Sequence, residues 1–328
     1  MKKDQSPLPS HIANFLDWLD VEKGLSSKKQ ENYARFLKKF FDWLELNKLS
    51  HLKSHELSSD HIWKYRIFLA RQTASSVSKK PLKKTTQNYY LIALRSLLSY
   101  FAEMDIVSLP SEKIKLAREK NSAVVRFLNL EQLERLFAGP EMARRQGLRD
   151  RAILEAFFST GLRLSELVAL NRDQVQESLN VESLELGIVG KGGRARVVYF
   201  SKRCLGWLKK YLETRKDDEK PLFINYRTRK DAPSRLTSRS IEKIIKKYAL
   251  RAGLPLNTTP HVLRHSFATD LLSKGVDIRI LQEFLGHKSI NATQIYTHVT
   301  SKQLKDIHKK FHGGFEKRLA FQKSGSLL

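Results

Sequence analysis

The feature of this sequence that most constrains its fold is a helical spacing of apolar residues that recurs four times between Ser10 and Met104. Apolar side chains return at intervals of three and four residues, which places them on one face of a helix. Small polar residues of the kind that cap helix N-termini open these runs, at Ser10, Ser26, Ser59 and Thr85. The apolar positions are Ile12, Phe15, Leu16 and Leu19; Tyr33, Phe36, Leu37, Phe40 and Leu44; Ile62, Tyr65 and Phe68; and Tyr89, Ile92, Leu97 and Phe101. The first hundred residues therefore predict a bundle of four helices.

The rest of the chain alternates between helical and strand patterns. Helical spacing at 130–137 and 148–158 is followed by SLELGIVGKGGRARVVYF, whose two β-rich arms flank glycines and predict a hairpin. Helical spacing resumes after Thr237. We therefore expect a mainly α fold with a small β-sheet (α+β). The expected organisation is a helical domain at 1–106, a linker with few strong apolar anchors at 107–124, a second domain at 125–312 and a C-terminal tail at 313–328.

The chain is strongly basic, because 60 Lys and Arg face 34 Asp and Glu and give a formal net charge of +26. Such a charge attracts polyanions, and the release of counterions drives binding to nucleic acid. Both sides of the linker are basic, at +7 for residues 1–106 and +17 for residues 125–328. We therefore expect the two domains to close around one duplex. The alternative is a protein that is merely basic.

Apolar runs and cysteine usage narrow the class of protein further. No apolar run approaches the roughly 18 to 20 residues that span a bilayer. The opening residues, MKKDQSPLPS, lack the apolar stretch of a signal peptide. We therefore expect a cytoplasmic protein with no membrane partner. Cys204 is the single cysteine, which excludes internal disulfides and Cys-based zinc clusters.

Lysines are concentrated where the fourth predicted helix begins. Helix N-termini and lysines both suit phosphate. A solvated face is the alternative interpretation of such a charge run. The candidate DNA contacts are Lys79, Lys80, Lys83 and Lys84 at this helix, together with Arg194 and Arg239 in the second domain.

Two segments of the second domain carry candidate phosphate-binding side chains. In STGLRLSELVAL, Arg163 and Glu166 lie three residues apart at the start of a predicted helix and share one face. In GKGGRAR, Lys191 sits among glycines at the tip of the predicted hairpin. The spacing of a P-loop is absent from this segment. An ordinary surface ion pair and an ordinary polar turn are the alternatives.

Two further segments supply histidines, an arginine and a tyrosine. In HVLRHSFATDLL, His261 and Arg264 lie three apart on a predicted helix and can face one groove. His261 and His265 also have the spacing of a zinc-binding pair, but the glutamate of an H-E-x-x-H site is missing, so we expect no metal. In LGHKSINATQIYTHV, Gly286 ends a helix, His287 follows and Tyr296 lies nine residues on. A half-buried core aromatic is the alternative for this tyrosine.

Taken together, these side chains match the requirements of metal-free phosphodiester cleavage. That chemistry needs positive donors on the non-bridging oxygens, a nucleophile, a base for it and an acid for the leaving oxygen. Arginine suits the phosphate oxygens because its planar fork donates two hydrogen bonds and keeps its charge. A lysine on a hairpin tip can reach the leaving sugar oxygen.

In this order and with these spacings, the segments resemble the catalytic boxes of the tyrosine recombinase (phage integrase-like) family, most closely its Xer branch. The matching residues read TGLRLSELVAL, GKGGRAR, HVLRHSFAT and LGHKSINATQIYTHV. The resemblance covers almost the whole chain. It implies a two-domain, C-shaped DNA clamp, with a helical, SAM-like core-binding domain followed by the family's catalytic domain.

The resemblance also implies a role for each reacting group. Tyr296 would be the nucleophile that attacks a DNA phosphate, forming a 3′-phosphotyrosyl bond and releasing a 5′-hydroxyl. His261 would act as general base and acid. Lys191 would give a proton to the 5′-oxygen.

Three other positions match family residues that hold the phosphate. Arg163 and Arg264 would clamp the scissile group, and His287 would donate a further hydrogen bond to it. Glu166 stands where the family has an acidic residue that supports the active-site arginine. His265 matches the same box, and we expect it to be structural.

The implied reaction is two sequential strand exchanges through a Holliday junction, without metal, ATP or any other cofactor. The implied partners are double-stranded DNA with an inverted-repeat recombination site, three further subunits in a homotetramer or a heterotetramer with a paralogue, and an FtsK-like translocase. The corresponding function is resolution of chromosome or plasmid dimers at a dif-like site.

Four alternatives remain open from the sequence. The chain could be the integrase of a mobile element, or it could relax DNA in the manner of a type IB topoisomerase. It could also be a DNA-binding protein that has lost catalysis, which the intact set of six catalytic matches argues against. A metal-dependent nuclease is the fourth, and activity in EDTA would exclude it.

Overall fold

The computed structural model divides the chain into two compact units, Met1–Ser122 and Ala123–Leu328. The structure describes residues 2–73, 81–117, 126–190, 193, 195–226, 234–286 and 293. Within these ranges the fold is mainly helical with one two-stranded sheet, which confirms the expected fold class. No helix in the described part of the chain combines the length and apolar character needed to cross a bilayer.

The N-terminal unit contains the four predicted helices. They are α1 (Ile12–Val21), α2 (Ser27–Leu46), α3 (Ser59–Arg71) and α4 (Lys84–Glu103). Their apolar faces meet in a single core that is rich in aromatic side chains, among them Phe15, Phe40, Tyr65 and Phe101, all of them fully buried. The spacing of three and four residues thus predicts which side chains are buried.

The N-termini of these helices differ in detail from the predicted caps. Ser10 lies in a 3₁₀ turn, Leu8–His11, and donates to the Pro7 carbonyl, so α1 begins after this turn. Ser26 stands at the N-cap of α2, but its side chain caps no backbone N–H. Ser58, not Ser59, caps α3 by accepting from the His61 backbone N–H. Packing of the apolar faces, rather than capping, therefore accounts for most of the stability of this bundle.

The first part of the segment between the two domains packs on the N-terminal unit. Ile114 is fully buried in that unit's core, and Leu109 and Leu116 contact it. The Asn88 side chain of α4 also pairs with the backbone of Ala117, donating to its carbonyl at 2.9 Å and accepting from its N–H at 3.0 Å. Residues up to 117 therefore belong structurally to the N-terminal unit.

The C-terminal unit begins with four helices and the hairpin. The helices are α5 (Leu130–Ala138), α6 (Arg145–Thr160), α7 (Leu164–Ala169) and the short α8 (Asp173–Gln176). Strands β1 (Ser183–Val189) and β2 (Ala195–Ser201) pair antiparallel, with Val189 opposite Ala195. The two arms thus form the antiparallel hairpin that their sequence pattern predicts.

Four more helices complete the described part of this unit. They are α9 (Lys202–Leu212), α10 (Ser238–Arg251), α11 (Pro260–Ser273) and α12 (Ile278–Leu285). Helix α6 lies in the centre and packs against α9, α11 and β2. Helices α11 and α12 share a smaller apolar cluster built from Phe267, Leu272, Leu281 and Leu285. This cluster fixes the C-terminal end of α12 beside α11, where the candidate site lies.

Candidate active site

Arg163 opens helix α7, and the local sequence fixes its side chain. Its backbone N–H donates to Glu166 Oε2 at 2.7 Å, closing a capping arrangement over the first turn. Its Nη1 donates to Glu166 Oε1 at 2.9 Å. The predicted pair at a spacing of three residues is therefore present, and one carboxylate orients both the backbone and the guanidinium of Arg163.

Glu166 is a buried carboxylate that stays ionised. Burial raises its pKa, but hydrogen bonds from the Arg196 side chain, from the Arg163 backbone and from the Arg163 side chain outweigh burial and lower the pKa to about 2. A carboxylate that accepts several charge-assisted hydrogen bonds is strongly favoured in its charged form. Glu166 is therefore ionised at neutral pH.

Arg264 reaches the site from α11 and is only 4% exposed. Its Nη1 donates to the carbonyl of Gly161, and its Nη2 donates to the carbonyl of Leu285. Gly161 caps α6 in the left-handed region at φ +59°, and a Cβ there would lie 2.4 Å from Phe267 Cδ1. Only glycine combines this backbone conformation with such a close approach of α11, so Gly161 brings the two helices together at the site.

The end of α12 is where Arg163 and Arg264 converge. Arg163 Nη2 donates to the Gly286 carbonyl at 2.8 Å, and Arg264 donates to the carbonyl of the preceding residue, Leu285. Both guanidinium groups are therefore anchored at the same helix end, on consecutive carbonyls. Gly286 ends α12 at φ +59°, as predicted.

A third arginine, Arg196, was not predicted as a site residue and lies in the same cluster. It sits in β2, and its Nη1 and Nη2 donate to the two carboxylate oxygens of Glu166 at 2.9 and 2.7 Å. Its Nε donates to the Phe284 carbonyl at 3.2 Å. The sequence did carry a signal for it, because alternation from Val198 and Phe200 puts Arg196 on the inward face of the strand. An arginine on an inward face requires an anionic partner.

The two histidines of α11 differ in their surroundings. His261 is exposed in the first turn, whereas His265, one turn later, is partly buried. Burial, followed by the neighbouring His261 and Arg264, lowers the pKa of His265 to about 4. His265 is therefore neutral at neutral pH, which suits the structural role expected for it.

We expect His265 to make the protein less stable as the pH falls. In the unfolded chain its imidazole has the ordinary pKa of about 6.5 and takes up a proton first. Its stabilising contribution is therefore complete above that pH and is lost as the pH falls toward 4. The loss between about pH 7 and about pH 5 should be about 1 to 2 kcal/mol, allowing for partial solvent screening.

The measurement is urea unfolding of the full-length protein at both pH values. His265→Gln should reduce the loss of unfolding free energy on acidification, whereas His51→Gln, at an exposed histidine of the N-terminal unit, should not. Equal acid sensitivity of wild type and His265→Gln would show that this imidazole does not titrate as expected.

The remaining predicted residues fall into two groups. The exposed and described ones are Lys83 and Lys84, at the N-cap and first position of α4, and Arg239, in the first turn of α10. Those outside the described residues are Lys79, Lys80, Lys191, Arg194, His287 and Tyr296. Lys191 and Arg194 belong to the hairpin turn by sequence, and His287 directly follows Gly286. The described site thus contains the arginines, their carboxylate and one exposed histidine.

The described cluster is cationic, because Arg163 and Arg196 share one carboxylate, Glu166, while Arg264 donates to backbone carbonyls. Adjacent guanidinium forks match two oxygens of one phosphate, and they hold such a group without reorganising. Among the described residues, no group of three or more His, Cys, Asp or Glu side chains is arranged to hold a metal ion. The positive charge of the cluster suits it to bind an anion such as a phosphate.

Comparison with protein-family models gives two matches that together span most of the chain. Residues 126–303 match the phage integrase family, and residues 12–103 match the phage integrase N-terminal SAM-like domain. The first match contains Arg163, Glu166, Arg196, Arg264 and Tyr296.

Similar proteins align over nearly their full length. A protein from Staphylococcus haemolyticus named tyrosine recombinase XerD is 33% identical over 310 residues, covering 92% of this chain and 98% of that protein. A protein from Pelotomaculum thermopropionicum named tyrosine recombinase XerC is 34% identical over 318 residues, covering 92% of this chain and 97% of that protein. The relatives therefore include proteins of both names.

Solved structures share the fold. The XerH site-specific recombinase bound to its difH substrate, before cleavage, matches with a TM-score of 0.69 at 23% identity, covering 93% of this chain and 98% of that one. The Tn1549 transposon integrase in complex with transposon right-end DNA matches with a TM-score of 0.66 at 15% identity, covering 92% of this chain and 99% of that one. At 23% and 15% sequence identity, these two matches show a shared fold.

Proposed function

Because this chain belongs to the phage integrase family of tyrosine recombinases, we propose that it cleaves and rejoins double-stranded DNA at a specific inverted-repeat site. The helical domain at 1–106 binds the core of the site, and the segment 107–124, whose residues up to 117 pack on that domain, connects it to the catalytic domain at 125–312. Residues 313–328 form a tail. The net charge of +26 supplies the attraction to the duplex.

The observation that carries this proposal is the pairing of Arg163 and Arg264 at the end of α12. Their guanidinium groups donate to adjacent carbonyls, those of Gly286 and Leu285. Both guanidinium groups are thereby held in place at the end of α12. A scissile phosphate bound there accepts hydrogen bonds from positive donors on both non-bridging oxygens. These hydrogen bonds become stronger as negative charge develops on those oxygens.

The proposed cleavage step assigns the remaining groups. The Tyr296 oxygen attacks phosphorus and gives its proton to His261, forming the 3′-phosphotyrosyl bond. The bond from phosphorus to the 5′-oxygen breaks, and Lys191 gives that oxygen its proton. His287 donates to a non-bridging oxygen together with the two arginines. The energy of the broken bond is kept in the phosphotyrosine, so rejoining requires no ATP, and none of these steps assigns a role to a metal or other cofactor.

Two such exchanges, one on each pair of strands, pass through a Holliday junction and need four active sites. We propose a tetramer on DNA, either of this chain alone or with a paralogue, acting in the cytoplasm. Resolution of chromosome or plasmid dimers at a dif-like site, aided by an FtsK-like translocase, is the biological role that the Xer resemblance supports. The proposed backbone contacts are Lys79, Lys80, Lys83, Lys84, Arg194 and Arg239.

The test is a search for the covalent intermediate. Duplexes bound by the full-length protein are selected from host DNA, and a nicked version of the selected inverted repeat is incubated with the protein in EDTA. We expect a protein–DNA adduct that survives denaturation, joined to the 3′ side of the cleaved strand, with a free 5′-hydroxyl on the other side. Cleavage only on addition of a divalent cation would overturn the proposal in favour of a nuclease.

The same assay separates the other candidates. Relaxation of a supercoiled plasmid without the selected site would indicate a type IB topoisomerase activity. Binding without an adduct would indicate a protein that has lost catalysis. A plasmid with two directly repeated sites should be resolved into two circles by a dimer-resolving enzyme, whereas joining of one site to unrelated target DNA would indicate a mobile-element integrase.

A further inference from the structure

Arg196 donates hydrogen bonds through all three nitrogens of its guanidinium group. It lies in β2, its side chain is 9% exposed, and it contacts two different elements of the unit. Two of its nitrogens hold the carboxylate of Glu166 at the start of α7, and the third holds the Phe284 carbonyl near the end of α12. Arg196 therefore bridges the elements that orient Arg163.

The three arginines share one acceptor surface. Arg196, Arg264 and Arg163 donate to three consecutive carbonyls, those of Phe284, Leu285 and Gly286 respectively. These carbonyls lie at the C-terminal end of α12, where the helix dipole is negative. A Cβ at Gly286 would lie 2.8 Å from Arg196 Cδ, so the arginine packs directly on the terminal turn.

The charge balance explains why a second arginine on Glu166 is useful. A carboxylate that orients Arg163 also cancels its positive charge, which weakens its attraction for a phosphate. Arg196 binds the same carboxylate through both oxygens and restores the positive charge without facing the substrate itself. Lysine cannot replace it, because a single ammonium cannot span two carboxylate oxygens and a carbonyl in fixed geometry.

We propose that Arg196 is a positioning residue for DNA cleavage, acting through Glu166 and the end of α12 to hold the Arg163 guanidinium in its phosphate-binding orientation. The inference rests on the proposed function, because it assumes that Arg163 holds the scissile phosphate. It adds a residue of the hairpin to the machinery of the site, beyond the six predicted catalytic residues.

The test is the single-turnover rate of adduct formation by Arg196→Lys on saturating nicked substrate. We expect this rate to fall about 10- to 100-fold, the loss that a misplaced catalytic group causes. DNA affinity should change by less than about threefold, because lysine keeps the positive charge of Arg196. The rate constant is measured on the DNA-bound protein alone. A loss of folded protein then lowers the amount of adduct formed and leaves the rate constant unchanged.

Arg215→Lys is the matched control. Arg215 is also a buried arginine that holds one carboxylate, Asp217, through two nitrogens and donates to nearby carbonyls, and it contacts none of the site residues that the structure describes. It should lower the melting temperature as Arg196→Lys does, while leaving the rate on bound DNA unchanged. An equal loss of rate in both variants would mean that Arg196 only stabilises the fold.

A double-mutant cycle with Arg163→Lys tests whether the effect passes through Arg163. In the Arg163→Lys background, Arg196→Lys should lower the rate of adduct formation by less than about threefold, because the side chain that Arg196 positions is already altered. A loss as large as in the wild-type background, or a wild-type rate for Arg196→Lys alone, would overturn the inference. If Arg163→Lys itself cleaves at the wild-type rate, the proposed function of Arg163 fails instead.

Discussion

Tyr296→Phe should bind the selected duplex with wild-type affinity and form no covalent adduct. Binding comes from many basic side chains, whereas attack on phosphorus requires one phenolic oxygen that phenylalanine lacks. The expected effect is complete loss of denaturation-resistant complex on nicked substrate, with an unchanged salt dependence of binding. Gel electrophoresis under denaturing conditions, together with a binding titration, measures both.

Tyr199→Phe is the matched control for this substitution. Tyr199 lies in β2 of the same unit, is 39% exposed and belongs to no part of the proposed machinery. It should form adduct at the wild-type rate. An adduct that persists in Tyr296→Phe, and maps by peptide sequencing to another residue, would falsify the assignment of the nucleophile.

Lys191→Ala should cleave normal DNA about 10²- to 10⁴-fold more slowly than wild type, the range expected for loss of a general acid. The leaving 5′-oxygen needs a proton as its bond to phosphorus breaks. When sulfur replaces this bridging oxygen, the leaving group departs as a thiolate and needs no proton. The same variant should therefore recover a rate close to that of wild type on a 5′-phosphorothiolate substrate.

Lys202→Ala provides the control for lost positive charge. Lys202 follows β2, is 72% exposed and pairs with the exposed Glu182. Lys202→Ala should cleave both the normal and the 5′-phosphorothiolate substrate at the wild-type rate. If Lys191→Ala is equally slow on the oxygen and the sulfur substrates, Lys191 positions the phosphate and another group supplies the proton.

The sequence by itself determined the local features of both units. Four helices in the N-terminal unit, the hairpin and the cap at Gly286 follow from apolar periodicity and from glycine, both of which act within a few positions along the chain. The pairing of Arg163 with Glu166 has the same origin, because residues three apart on a helix are neighbours. The resemblance of four short segments to family motifs then gave the enzyme class.

Only the tertiary structure decided how distant segments meet. Arg163 and Gly286 are 123 positions apart, and Arg264 and Gly161 are 103 apart. Packing of α11 against α6 and of α12 against α11 brings them together. The second arginine on Glu166 became evident for the same reason, since its partner lies 30 positions away on another element. Helical periodicity shows which face of a helix is buried, but the partner that covers that face depends on how the whole unit packs.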